Sequence, residues 1–277
     1  MEFFTIVLSS LLGLVTPAGL VVEKAAAKAV RSQFTQVEKL QVRLDNAPTH
    51  QLLNGKVQRL RIAGRGLQLK QLSLRVAVLE LESDPIDLNF RQQKKLQLEQ
   101  PLQAGVRLVL QQQDINRALR SPEVAARLGS LSINFLQPQA GQTPPAYNLV
   151  NPHLELLANN RLRFRVELTE ANTKPLVIRI ETGLNLIARQ KVQLVEPVIY
   201  VNREEVPQQL VRAIANNFST QLNLANLAAY GITAKMVKLQ IRSEQIEIAA
   251  FVRVDPSSSV TSDQLNLSAN SPIKALF

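Results

Sequence analysis

The strongest constraint on the fold is a period-two alternation of apolar and polar residues that recurs along much of the chain. In RLRFRVEL, residues 161–168, Leu162, Phe164, Val166 and Leu168 take one parity while Arg161, Arg163, Arg165 and Glu167 take the other. Successive side chains of a strand point to opposite faces, so this segment predicts a strand with one buried apolar face and one charged, wet face. In GLQLKQLSLRVAVLELES, residues 66–83, Leu72, Leu74, Val76 and Val78 alternate with Ser73, Arg75 and Ala77. The apolar parity then passes to Leu79 and Leu81, as it does across a β-bulge.

Further strands are expected at Val42–Leu44, Val57–Ile62, Ile86–Phe90, Leu102–Leu110, Leu131–Phe135, Leu154–Leu157, Leu176–Ile180, Leu184–Ile187, Val192–Val201, Met236–Ile241 and Ile246–Val254. Turn chemistry separates many of them, at Asn54-Gly55, Gly64-Arg65-Gly66, Ser83-Asp84-Pro85, Ala171-Asn172-Thr173 and Ser243-Glu244. Strands following one another with short breaks predict antiparallel meanders rather than βαβ units. Helices are few. Asp114 is placed to cap a short helix through Leu119, and Ser121-Pro122-Glu123 to start another ending near Leu128-Gly129. Pro207 to about Leu222 carries the helical stripe Leu210, Val211, Ile214, Ala215, Phe218 and Leu222, which should cover part of a sheet's apolar face.

The N-terminus restricts where such a chain can work. Phe3 to Val22 holds no charge, and about 20 such residues span a bilayer core as a helix. Three readings stay open: a cleaved signal peptide, a signal anchor with Lys24, Lys28 and Arg31 on its C-terminal flank, and a helix that packs against the sheet. The segment 255–277 reads as a disordered tail. These features divide the chain into 1–36, an apolar N-terminal helix and possible membrane anchor; 37–254, a single domain; and 255–277, the tail.

The chemistry of catalysis is hard to assemble from these residues. The chain has no Cys and only two histidines, His50 and His153, far apart in loop-like contexts. A zinc site and a histidine-based triad are therefore disfavoured. Glu80, Glu82, Asp84 and Asp87 cluster, but Glu80 and Glu82 share the face opposite Leu79 and Leu81, which predicts a solvated outer side. Gly64-Arg65-Gly66 has neither the Lys-Ser/Thr of a phosphate loop nor a third glycine, and no G-x-S-x-G occurs. No enzyme, metal or cofactor is expected.

With 32 basic against 22 acidic residues, a formal charge of +10, the surface should attract something anionic. Arg59, Arg61 and Arg65, then Arg161, Arg163 and Arg165, then Arg179, Arg189 and Lys191 are candidates for a positive stripe. Aromatic residues make up only 4% and Phe164 lies on the parity opposite its arginines, so the stacking platform of a single-strand reader is missing and nucleic acid is not the expected partner. Anionic lipid headgroups are, at about 1 kcal/mol per basic residue near a surface.

One resemblance adds to this reading. PLQAGVRLVLQQQDINRALRSPEVAARL (Pro101–Leu128) looks like the strand, D-[IL]-N-x-A-L and S-P segment of the LmeA-like phospholipid-binding family. GKVQRLRIAGRGLQLKQLSLRV (Gly55–Val76), NRLRFRVEL, Val206 to Leu210 and ITAKMVKLQI resemble its other segments, most closely in versions from photosynthetic bacteria. The resemblance implies phospholipid binding at the cell envelope, with no catalytic residues to transfer. It also implies an α+β fold similar to tubular lipid-binding (TULIP-like) domains, with a strongly curved antiparallel sheet wrapped around long amphipathic helices. An acyl groove would then be lined by Leu72, Leu74, Val76, Val78, Leu162, Phe164, Val166, Ile178 and Ile180 from strands and by Leu210, Ile214 and Phe218 from the helix. The alternative is a non-enzymatic, membrane-associated scaffold that seals the same residues into a closed core.

Overall fold

The computed structural model describes residues 27–28, 30–45, 55–70, 73–89, 97–122, 124, 148–169 and 174–256. Residues 30–32 are helical and lead into β1 (Phe34–Asp45). There follow β2 (Lys56–Val57), β3 (Arg59–Leu69), β4 (Arg75–Ser83), β5 (Ile86–Asn89), β6 (Gln97–Leu98) and β7 (Leu102–Gln111), then helix α1 (Gln112–Leu119). The second half holds β8 (Asn148–Leu156), β9 (Arg161–Thr169), β10 (Leu176–Ile187), β11 (Lys191–Val201), β12 (Glu204–Glu205) and helix α2 (Gln208–Gln221). A 3-10 helix (Leu224–Tyr230), β13 (Ile232–Arg242) and β14 (Gln245–Val254) close the described chain.

The strands form three antiparallel sheets: six strands in the order β1-β3-β4-β7-β14-β13, five in the order β12-β11-β10-β9-β8, and a small one of β2-β5-β6. Register carries the alternation of the sequence into rows of side chains. Ile62, Leu81, Val106, Ala250 and Met236 lie side by side across five strands of the larger sheet, all buried. Ser83, Ala104, Val252 and Ala234 make the next row, and Leu102, Val254 and Ile232 a third. Val57, Ile86 and Leu98 from the small sheet, Leu224 and Leu227 from the 3-10 helix and Val192 from β11 complete this core. Each such aliphatic side chain removed from water contributes about 1.5–3 kcal/mol, and together these residues close the inner face of the larger sheet.

That result corrects the expected fold class. The described residues are 63% strand and 20% helix, the helices are short and the sheets are not strongly curled. A strongly curved sheet wrapped around long amphipathic helices is not the architecture, and the likeness to tubular lipid-binding domains falls with it. The helical stripe at 207–222 was legible, but its 14 residues make a rod of only about 21 Å that lies along one strand, too short to serve as an axis for six.

Three local expectations also change. Gly64-Arg65-Gly66 is not a turn but the middle of β3. Gly66 has φ +58°, and a Cβ there would collide with the Glu38 carboxylate, so glycine is needed inside the strand. The buried parity does change between Val76 and Leu79, but without a register slip: β3 changes beside it, from Gly64 to Leu67, about Gly66. Asp114 does not cap α1, whose N-cap is Gln111. It is 1% exposed and accepts from Arg75 Nη1 at 2.8 Å and Arg117 Nη1 at 3.2 Å.

Candidate lipid-binding face

The five-stranded sheet is where apolar surface is left over. Phe164 on β9 pairs with Leu154 on β8 and Ile180 on β10, and Ile180 pairs with Ile199 on β11. Val166, Ile178 and Val201 form the adjoining row, and Leu149, Leu168 and Leu176 the row beyond. A bulge at Glu181/Gly183 against Val195/Val198 gives β11 one extra residue. The extra residue turns Ile199 and Val201 to the same side as Val192 and Leu194, which an unbroken strand of odd and even numbers would separate. The result is one apolar face running from the closed core, which Val192, Leu184 and Leu186 join, to the far end of the sheet. Thr182, a polar member of this face, is 2% exposed and donates its hydroxyl to the Val195 carbonyl at 3.1 Å.

This face differs from the core of the larger sheet in how far it is covered. Val166, Leu168, Leu156 and Ile199 are buried, whereas Leu154, Leu162, Phe164, Leu176, Ile178 and Ile180 are all half-buried. The opposite face is charged and self-neutralised. Glu155, Arg163, Glu181, Arg161 and Glu196 form a ladder with separations of 2.7, 3.1, 3.8 and 3.6 Å. Hydrogen bonds to Glu181 and Glu155 raise the pKa of Arg163, and the Arg179 guanidinium sits 4.4 Å from the Tyr200 ring centroid. Part of the expected positive stripe is paired with carboxylates: Arg59 and Arg61 bond to Glu82, and Arg165 to Glu167.

Edges of this sheet are closed by side chains and helices, which leaves the face as its open part. On α1, Asn116 behaves as a strand residue: its Oδ1 accepts from Leu154 N at 2.6 Å and its Nδ2 donates to Leu154 O at 2.8 Å. Gln112 Oε1 accepts from Leu156 N at 2.6 Å. At the other edge α2 lies along β11 with Val211 fully buried. Its apolar stripe is wider than its footprint, so Leu210 stays 58% and Phe218 37% exposed and Ile214 half-buried. The sheet is stapled to the larger one at Arg189, whose carbonyl accepts from Met236 N at 2.7 Å, and at Asn160. Asn160 Oδ1 accepts from Ile241 N at 2.6 Å and its Nδ2 donates to Leu184 O.

The structure thus divides the residues expected to line a groove. Leu162, Phe164, Val166, Ile178 and Ile180 share one face, whereas Leu210, Ile214 and Phe218 are on α2, which packs along β11 through buried Val211 and leaves Leu210 and Phe218 exposed. Leu74 and Val76 pack into the closed core of the other sheet, with Val76 at 0% exposure. Val78 stands one position from buried Leu79 and faces the other way, and Leu72 lies outside the described residues. His50 also lies outside them, while His153 is an exposed strand residue of β8 opposite Arg165. Leu154, Asn116 and Gln112 were missed as contributors. For Asn116 the D-I-N segment was the only available signal, and it says nothing of what the side chain bonds.

An apolar, half-covered face beside a D-I-N helix is the setting for the comparison with known proteins. Residues 15–251 match the family described as LmeA-like phospholipid-binding. The chain belongs to this family. No curated protein and no solved structure gives a match. The LmeA-like D-I-N residues here serve the fold: Asp114 ties α1 to β4 through Arg75 and Asn116 ties it to β8. Among the described residues no helix is long and apolar enough to cross a membrane.

Proposed function

We propose that this LmeA-like chain holds a phospholipid with an acyl tail laid along the apolar face of the five-stranded sheet, beside α2. The observation that carries the reading is the half-burial of Leu154, Leu162, Phe164, Ile178 and Ile180 on a continuous apolar surface. Each methylene moved from water onto such a surface contributes about 0.8 kcal/mol, so most of one tail gains on the order of 10 kcal/mol before ordering costs. The role is carriage or retention of lipid without catalysis, in transfer or envelope lipid homeostasis, with residues 37–254 as the working unit. The uncharged run Phe3–Val22 and the +10 charge support a place at the envelope membrane, beside anionic lipid.

Native mass spectrometry of the gently purified protein tests this. The expected spectrum carries one phospholipid per chain, and the double variant Phe164→Asp/Ile180→Asp has at least tenfold lower occupancy with an unchanged far-ultraviolet spectrum. A wild-type protein that is empty and takes up no phosphatidylglycerol from vesicles sinks the reading and favours a scaffold.

A further inference from the structure

The most exposed large apolar side chain among the described residues lies away from that face. Phe251 on β14 is 63% exposed, and Val237 on β13 is 48% exposed. Ala250, Val252 and Met236 point into the closed core, so Phe251 occupies the outer side of the larger sheet. Its in-register neighbours are Lys235 and Gly105. Absence of a side chain at Gly105 makes room for the ring: a Cβ there would stand 3.7 Å from Phe251 Cε1. Val237 is the extra residue of the bulge between Met236 and Lys238, two positions from Lys235.

Beside this patch the outer side carries a run of ions. Glu80, Arg107, Glu247 and Lys238 form a chain across four strands, at 3.0, 2.7 and 2.6 Å. Around Phe251 the balance shifts. Its adjacent and diagonal neighbours on this side include Lys235, Arg107 and Arg253 and no carboxylate. Lys235 has no ion pair among the described residues, whereas Arg253 meets Asp255 at 3.0 Å. An exposed aromatic ring and a valine ringed by cations match the layered chemistry of an anionic bilayer surface, apolar below and phosphate above.

We propose that the β13–β14 outer face docks on an anionic phospholipid bilayer, with Phe251 and Val237 entering the headgroup–acyl boundary and Lys235 and Arg253 meeting lipid phosphates. This surface is separate from the lipid-holding face, and it addresses how the protein meets a membrane rather than what it carries. The chain has no tryptophan, so Phe251→Trp makes a single reporter at the centre of the patch.

The test uses the full chain with vesicles of phosphatidylcholine alone and with a third of the lipid replaced by phosphatidylglycerol. The wild type is expected to float with the anionic vesicles, less so at high salt, and Phe251→Ser/Val237→Ser to bind at least tenfold less. Emission of Phe251→Trp shifts to the blue on adding anionic vesicles. Native mass spectrometry reads the held lipid independently, and Phe251→Ser/Val237→Ser retains it. Equal flotation of the wild type and the double variant, or unshifted tryptophan emission, overturns the proposal. So does a self-association that Phe251→Ser abolishes, which would assign the patch to a second copy of the chain.

Discussion

A single aliphatic side chain has a different role in each sheet, and substitution separates the two. Leu79 is 1% exposed in the closed core, so Leu79→Ala is expected to lower the unfolding free energy by roughly 2–5 kcal/mol while the folded fraction keeps its lipid. Ile180→Ser, on the half-covered face, is expected to do the reverse: a small shift of the urea midpoint and a large loss of phospholipid occupancy. Matched losses of stability and occupancy in both variants would contradict the separation of core from site. Asn116 belongs to a third class. Its side chain bonds both backbone groups of Leu154, so Asn116→Ala leaves a strand edge unpaired and is expected to cost about 1–3 kcal/mol in urea unfolding. Such amides were invisible in the sequence because one side chain completing a backbone edge leaves no periodic trace, whereas Phe164 and Ile180 announced themselves by parity alone.

At the scale of elements, strands were the legible part, since their side chains alternate in register with what they face. Expected segments such as Val192–Val201 and Ile246–Val254 correspond to β11 and β14. Turns were read less well where glycine is absent. Asn159-Asn160 and Asn202-Arg203 adopt positive φ between paired strands, and asparagine tolerates that conformation without the glycine signal. Gly66, conversely, signalled a turn and instead fills a crowded strand. The outer ladder of β4, β7, β14 and β13 adds a pH dependence. Lys238 and Arg107, both hydrogen-bonded to Glu247, hold its carboxyl down to about 2 from 4.5. A depressed carboxylate stabilises the fold above its unfolded value, and that contribution fades as pH falls from 4.5 toward 2. Thermal unfolding of Glu247→Gln should therefore approach that of the wild type as the solution is acidified through this interval. A gap that stays constant across it would show that the ladder carries no such linkage.

The molecule as a whole joins a sealed sheet to an unsealed one through a single apolar surface. Val192 belongs to the closed core, Leu184 and Leu186 pack against it, and all three begin the face that continues to Phe164, Ile178 and Leu176. A lipid tail laid on that face therefore extends an existing core rather than filling a separate pocket, and its stabilisation should be felt unevenly. A ligand at a hundred times its dissociation constant adds about 2.7 kcal/mol to the state that binds it. Openings that expose only the five-stranded sheet lose the ligand and are suppressed by that amount, while fraying confined to β1 or β3 does not involve it. Amide hydrogen exchange on delipidated and reloaded protein reads the difference directly. Protection is expected to rise in β9 and β10 and to stay unchanged in β3 and β4, whose core rows are complete without lipid. The staples at Asn160 and Arg189 set how far the effect travels, because the Asn160 side chain and the Arg189 carbonyl accept from backbone N–H groups of β13. Asn160→Gly keeps the positive φ and removes the amide, so it should confine the added protection more tightly to β9 and β10. Equal protection of both sheets on loading, in the wild type and in Asn160→Gly alike, would mean that the tail is held elsewhere or that the two sheets open only together.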